Sequence, residues 1–177
     1  SGTMTIIEPN INIQKTGEKL NVDGVEMVFQ MTPGAEAPAE MNIFLPQLKA
    51  MWMAENTTNT LHNILTLRGA EVRDAKKWAA YINETIELYG DNVEVKFQSH
   101  HWPVWGKVQV NDYLNKQRDL YKYIHDQSVY LMNQGYTGVE IANQIKLPSS
   151  LAQIWSNRDY YGTLSHNAKA VYQRYVG

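Results

Sequence analysis

The chain has 177 residues, 44% of them hydrophobic, with 16 basic and 18 acidic side chains and a formal charge of −2. This length and apolar fraction suit one domain, or one with an extension, around a sizeable core. The charge balance offers no basic field for nucleic acid, no Lys/Arg run marks a membrane surface, and no apolar run approaches the roughly 18 residues of a span.

The chain opens with Ser1-Gly2-Thr3, which reads as a scar of tag removal, so a missing signal peptide carries no information. With no cysteine there are no disulfides or thiolate metal sites, and every compartment stays open. The first third reads as sheet. Thr5-Ile6-Ile7, Asn12-Ile13-Gln14 and Val25 to Met31 are expected strands, with Asp23-Gly24 as the hairpin turn between the second and third. Thr32 to Glu40 is a rigid loop with two prolines and two acids. Met41 to Leu45 and Met51 to Ala54 are two further strands joined at Pro46-Gln47. The loops after Met31 and after Ala54 are thus expected side by side.

The middle alternates helix and strand. Asp74 to Tyr89 carries apolar residues at helical spacing and ends at Gly90. Asn92 to Gln98 is a short strand running into the loop Ser99 to Gly106. A long amphipathic helix is expected from Val110 to Asn133, with Gly135 after it. Thr137-Gly138-Val139-Glu140 has the form of a capping box, its helix ending near Pro148, and Ser149 or Ser150 is expected to cap the next. A last helix runs through Tyr175, with His166 near its start.

The most informative stretch is Met51 to Gly69, which reads as strand, loop and first helical turn. An acid such as Glu55 at the end of a buried strand is expensive unless paired or bound to metal. An ordinary connection with its acid in water is the alternative. The adjacent His100 and His101 at a strand end are a candidate metal or proton-transfer site, against the commoner reading as structural donors.

Several blocks carry a resemblance. They are Pro38-Ala39-Glu40-Met41-Asn42, Ala54-Glu55-Asn56-Thr57, Leu61 to Gly69, Ser99-His100-His101-Trp102-Pro103, Gln117 to Tyr121, His125-Asp126-Gln127 and Ser165-His166-Asn167. In this order they resemble the alkyl sulfatases of the metallo-β-lactamase superfamily. The resemblance implies an α/β fold: the second half of an αββα metallo-β-lactamase sandwich, followed by an α-helical dimerisation segment. Residues 1–106 would form the first part and 107–177 the second. The family's H-x-H-x-D-H motif, from its first half, is absent from this sequence.

The family holds two zinc ions, and the matching ligand positions are Glu36, Glu55 and His100. By resemblance Glu36 serves the first zinc, Glu55 bridges and His100 serves the second. Asn63 and Arg68 match the sulfate-binding pair, for which a planar guanidinium is suited. Two departures stand out. Asn59 occupies a position where relatives often carry histidine, and Tyr161 one where some place the histidine that protonates the leaving group. Tyrosine is the weaker acid, and His166 is a nearby substitute.

The implied activity is hydrolysis of long-chain alkyl sulfate esters by a full-length parent, this chain being a partial form that is inactive alone. A homodimer or higher oligomer is expected, with neither nucleic acid nor membrane as partner. The compartment is left open, periplasmic or secreted by family precedent. The alternative is a non-catalytic dimerisation or interaction module. A thioesterase or lactonase of the same superfamily is disfavoured by Glu36, where those enzymes usually offer histidine. A half-sandwich should also leave one sheet face, expected to include Val28, Ile43, Phe44 and Trp52, without its covering layer.

Overall fold

The structure, a computed structural model, describes residues 2 and 5–177, so the reading of Ser1-Gly2-Thr3 lies largely outside the described residues. Six strands form one sheet in chain order: β1 (Lys19–Val22), β2 (Val25–Met31), β3 (Met41–Leu45), β4 (Ala50–Trp52), β5 (Val95–Phe97) and β6 (Val104–Trp105). Neighbours are antiparallel except β4 and β5, which run parallel because helix α1 (Ala75–Tyr89) lies between them in the chain.

Strands β2 and β3 fall where expected. Thr5-Ile6-Ile7 and Asn12-Ile13-Gln14 are not strands, and Ile6 and Ile7 are exposed. The Asp23-Gly24 hairpin forms, with both residues at positive φ, but it pairs β2 with Lys19–Val22. β-branched content does not hold a strand where no neighbour offers a ladder. Strand β6 falls inside a stretch read as loop.

Asp74 caps α1 by accepting from the Lys77 amide. Helix α2 (Lys107–Asn133) begins a turn earlier than expected. Helix α3 (Gly138–Gln144) opens with the expected Thr137/Glu140 capping box. Helix α4 (Ser149–Ala152) has Pro148 at its N-cap and no side-chain cap, so the serine cap does not form. Helix α5 (Leu164–Val176) is capped by Thr163, whose hydroxyl accepts from the His166 amide. Among the described residues no helix is long and apolar enough to cross a membrane.

The register decides which side chains share a face. Val28, Phe44, Met51, Lys96 and Val104 form one row facing α1 and α2. There Phe44 stacks on Tyr89 at 4.8 Å and Trp78 on Tyr121 at 4.5 Å. Gln30 and Asn42 lie on the same face and are fully buried. Gln30 Nε2 donates to the Tyr81 carbonyl at 3.0 Å, Thr85 donates to Gln30 Oε1 at 2.6 Å, and Asn42 donates to that oxygen at 3.1 Å. This satisfied polar strip fastens α1 in one register on the sheet.

The opposite face carries the buried Phe29, the half-buried Met27, Met31, Met41, Ile43, Leu45, Trp52, Val95 and Phe97, and the exposed Trp105. Val28 and Phe44 are therefore covered by this chain's own helices, contrary to expectation, whereas Ile43 and Trp52 do lie on the open face.

Candidate metal centre

The loops after β2 and β4 lie side by side. Asn56 Nδ2 donates to Thr32 Oγ1 at 3.0 Å and to Asn42 Oδ1 at 2.8 Å, while the Trp78 indole donates to the Asn56 carbonyl at 2.7 Å. Directly before Glu55, Ala54 takes a left-handed φ of 46°, and His101, directly after His100, takes 68°. Such conformations are unfavourable for non-glycine residues and mark places where packing over-determines the turn.

Residues 61–69 contain no helical turn, contrary to expectation. Their polar backbone groups are bound by distant side chains and loops. The Asn167 amide accepts from the Ile64 N–H at 2.9 Å and donates to the His62 carbonyl at 2.9 Å. Leu61 donates to the Arg158 carbonyl at 3.0 Å and accepts from the Gly162 N–H at 2.7 Å. Gly162 is needed for this approach, since a Cβ there would meet the His62 backbone at 2.5 Å.

These loops bring together Glu36, Glu55 and His62, with one ligand atom from each lying within 4.8 Å of the others. Glu55 faces two imidazoles at once. Its Oε1 is 3.3 Å from His100 Nε2, and its Oε2 is 3.3 Å from His62 Nε2. Arg73, buried to 8% exposure, joins Glu36 to Asn63: its Nη2 pairs with the Glu36 carboxylate and its Nη1 with Asn63 Oδ1. Burial first, then the hydrogen bond and charge of Glu36, hold Glu40 well above the usual carboxylate range. Burial likewise pushes His62 down. Glu36, Glu55 and His62 offer two carboxylates and one imidazole nitrogen in a single cluster, with His100 at the other oxygen of Glu55, donor types of the kind that zinc takes.

Of the residues singled out in sequence, Glu36, Glu55, His100 and Asn63 are brought together. Arg68 is exposed, on the far side of Thr66 in the chain, and enters no hydrogen bond or ion pair among the described residues. Tyr161 stands edge-on to His62 at 4.9 Å and, with Thr58, Thr60, His62, His100, His101 and Tyr160, lines a cavity of ≈ 300 Å³. His166 binds the Leu65 carbonyl through Nε2 at 2.7 Å. Asn59 links the two loops, its N–H donating to His101 Nδ1 at 3.3 Å and its side chain to the Trp102 carbonyl at 3.1 Å.

Sequence reasoning missed His62, Glu40 and Arg73 as members of this cluster. His62 had a signal, since it lies seven residues after Glu55 within the matched blocks. Arg73 had none. Lys96 was also missed: its ammonium lies 2.7 Å from Gln98 Oε1 and 3.9 Å from the centre of the Tyr113 ring, and burial pushes it down to about 7.

Known proteins resemble this chain. The family described as alkyl sulfatase dimerisation matches residues 137–177. The alkyl/aryl-sulfatase of Saccharomyces cerevisiae is 52% identical over 176 residues, covering 99% of this chain and 27% of that protein. The solved stereoselective inverting sec-alkylsulfatase Pisa1 from a Pseudomonas species superposes with a TM-score of 0.95 at 52% identity, over 98% of this chain and 27% of that one. A metallo-β-lactamase family protein from Thermus thermophilus superposes at a TM-score of 0.56 and 13% identity, over 96% of this chain and 49% of that one, a likeness of fold. The chain thus spans just over a quarter of the length of the sulfatases it matches.

Proposed function

We propose, from the similarity of this chain along its whole length to part of the alkyl sulfatases, that it supplies part of the active site of a zinc-dependent hydrolase of long-chain alkyl sulfate esters. The observation that carries the reading is Glu55, with one carboxylate oxygen 3.3 Å from His100 Nε2 and the other 3.3 Å from His62 Nε2. A carboxylate so placed suits a bridge between two cations, with Glu36 beside one and His100 beside the other. When bound, zinc supplies Lewis acidity that brings a water toward ionisation at neutral pH.

The chain's own residues do the rest. Arg73 holds the Glu36 carboxylate and the Asn63 amide in one orientation, as outer partners of metal sites do. Asn63 and Arg68 are the proposed sulfate-binding pair, Arg68 entering from its exposed loop to bind two sulfate oxygens at once. Tyr161, on the cavity wall, is the proposed proton donor to the leaving alkoxide, with His166 as the substitute. Residues 1–106 act as the second half of the sandwich and 107–177 as the helical, dimer-forming part of a homodimer or higher oligomer. The open apolar sheet face, with Ile43, Trp52 and Trp105, supports a first half packing there.

Alone, the chain presents three of the family's metal-ligand positions and is proposed to be inactive. Metal analysis after gel filtration should find far less than two zinc ions per chain, and two tightly held ions would refute the partial-site reading. In a complete enzyme, Arg68→Ala should lower kcat/KM by the equivalent of about 1.5–3 kcal/mol, as for a lost charged hydrogen bond. An unchanged kcat/KM would remove Arg68 from the clamp.

A further inference from the structure

We infer that the C-terminal helical segment, matched only as a dimerisation family, also aims the anion-binding loop, with Asn167 as its central positioning residue. The inference rests on the proposed role of Asn63 toward sulfate and adds the element that orients it. Residues 61–74 form no helix or strand, so their backbone groups need partners from elsewhere. Those partners come repeatedly from residues 158–174, inside the matched segment 137–177. The Arg158 carbonyl accepts from the Leu61 N–H at 3.0 Å, and the Gly162 N–H donates to the Leu61 carbonyl at 2.7 Å. His166 Nε2 lies 2.7 Å from the Leu65 carbonyl oxygen, and Arg174 Nη1 donates to the Val72 carbonyl at 2.8 Å.

Asn167 stands out because it grips the chain on both sides of Asn63. Its Nδ2 donates to the His62 carbonyl and its Oδ1 accepts from the Ile64 N–H, each at 2.9 Å. Asn167 is fully buried, so water does not compete for these two bonds. The peptide units before and after Asn63 therefore share one anchor, set by a side chain from α5.

The anchor fixes what Asn63 can offer. Arg73 Nη1 pairs with Asn63 Oδ1 and also donates to the Asn63 carbonyl at 3.0 Å. A guanidinium only donates, so it takes the oxygen side of the Asn63 amide. Asn63 Nδ2 is left as a donor that meets no protein acceptor among the described residues. A donor held in place before the substrate arrives is what an anionic oxygen needs, and a shift of about 1 Å can cost about a hundredfold in rate. The segment matched for assembly thus shapes the site as well.

The test is a double-mutant cycle in the complete enzyme, with octyl sulfate as substrate and kcat/KM as the readout. Asn63→Ala and Asn167→Ala should each lower kcat/KM about tenfold or more, and the double variant should fall no further than Asn63→Ala alone. A residue that only supports the fold would act through the folded fraction, equally in both backgrounds, so losses that multiply overturn the inference. If Asn63→Ala leaves kcat/KM unchanged, the anion reading of Asn63 falls, and this inference with it. If Asn63→Ala lowers kcat/KM and Asn167→Ala does not, the anion reading stands and Asn167 positions nothing. Amide hydrogen exchange of the wild-type chain decides the case even if Asn167→Ala fails to fold. The Ile64 N–H should exchange as slowly as the amides of α2, and exchange as fast as at the exposed Leu67 overturns the inference.

Discussion

The two faces of the sheet are built from the same six strands and have opposite fates. Toward α1 and α2, Phe44, Met51 and Trp78 are sealed, and the polar residues among them, Gln30 and Asn42, are paired into α1. On the other face Ile43, Trp52 and Phe97 stand half-exposed beside the exposed Trp105, and no such polar strip locks them. A monomer rarely leaves so continuous an apolar surface in water. The sealed face shows where this chain provides its own stability. The open face is where the proposed first half of the sandwich would pack.

The comparison predicts unequal responses to substitution. The largest should come from Trp78→Ala, which removes a fully buried ring, its stack on Tyr121 and its hydrogen bond to the Asn56 carbonyl. A loss of about 3–5 kcal/mol is expected in urea unfolding. A cost below that of an ordinary surface change would mean that the covered face is not the core. Gly162→Ala should follow, at about 1–3 kcal/mol, because its new methyl collides with the His62 backbone at 2.5 Å. Its chemical-shift changes should concentrate in residues 61–64, and changes spread evenly would contradict a local collision.

Next is Lys96, on the sealed face. Burial holds its folded pKa at about 7, below the ordinary lysine value of 10.5. Between these values the unfolded chain binds more protons than the folded one, so stability should rise as the pH climbs from about 7 toward 10.5, and the penalty is complete below about 7. Lys96→Met should flatten this slope in unfolding measured at pH 7 and pH 9. A slope that survives the substitution would assign the effect to another group. The smallest effect is expected on the open face, where Trp105→Ser should alter stability by no more than about 0.5 kcal/mol while lowering self-association in light scattering. A loss matching that of Trp78 would show that this face is already covered in the isolated chain.

Much of the architecture was legible because it rests on local chemistry. The strands Val25–Met31 and Met41–Leu45, the helical spacing from Asp74 to Tyr89 and the Thr137/Glu140 capping box are each decided within a few residues. The candidate site was read by another route, since the family resemblance implied Glu36, Glu55, Asn63 and His100 before any geometry, and the structure brings these four side chains near one another. Arg73 could not be read, because its partners Glu36 and Asn63 lie 37 and 10 residues away.

By itself, then, the sequence determined the main helices, the Thr137/Glu140 capping box, the β2 and β3 strands and the loop positions of the acids and histidines. Only tertiary structure decided which face each strand presents to the helices, since a strand offers both faces alike until a neighbour covers one. It also turned residues 61–69 away from helix, because Asn167, Arg158 and Gly162 satisfy their backbone groups from a hundred residues away. And it decided that His62 rather than a solvent molecule meets Glu55, since that contact depends on packing between Trp78 and Tyr161, which no local pattern encodes.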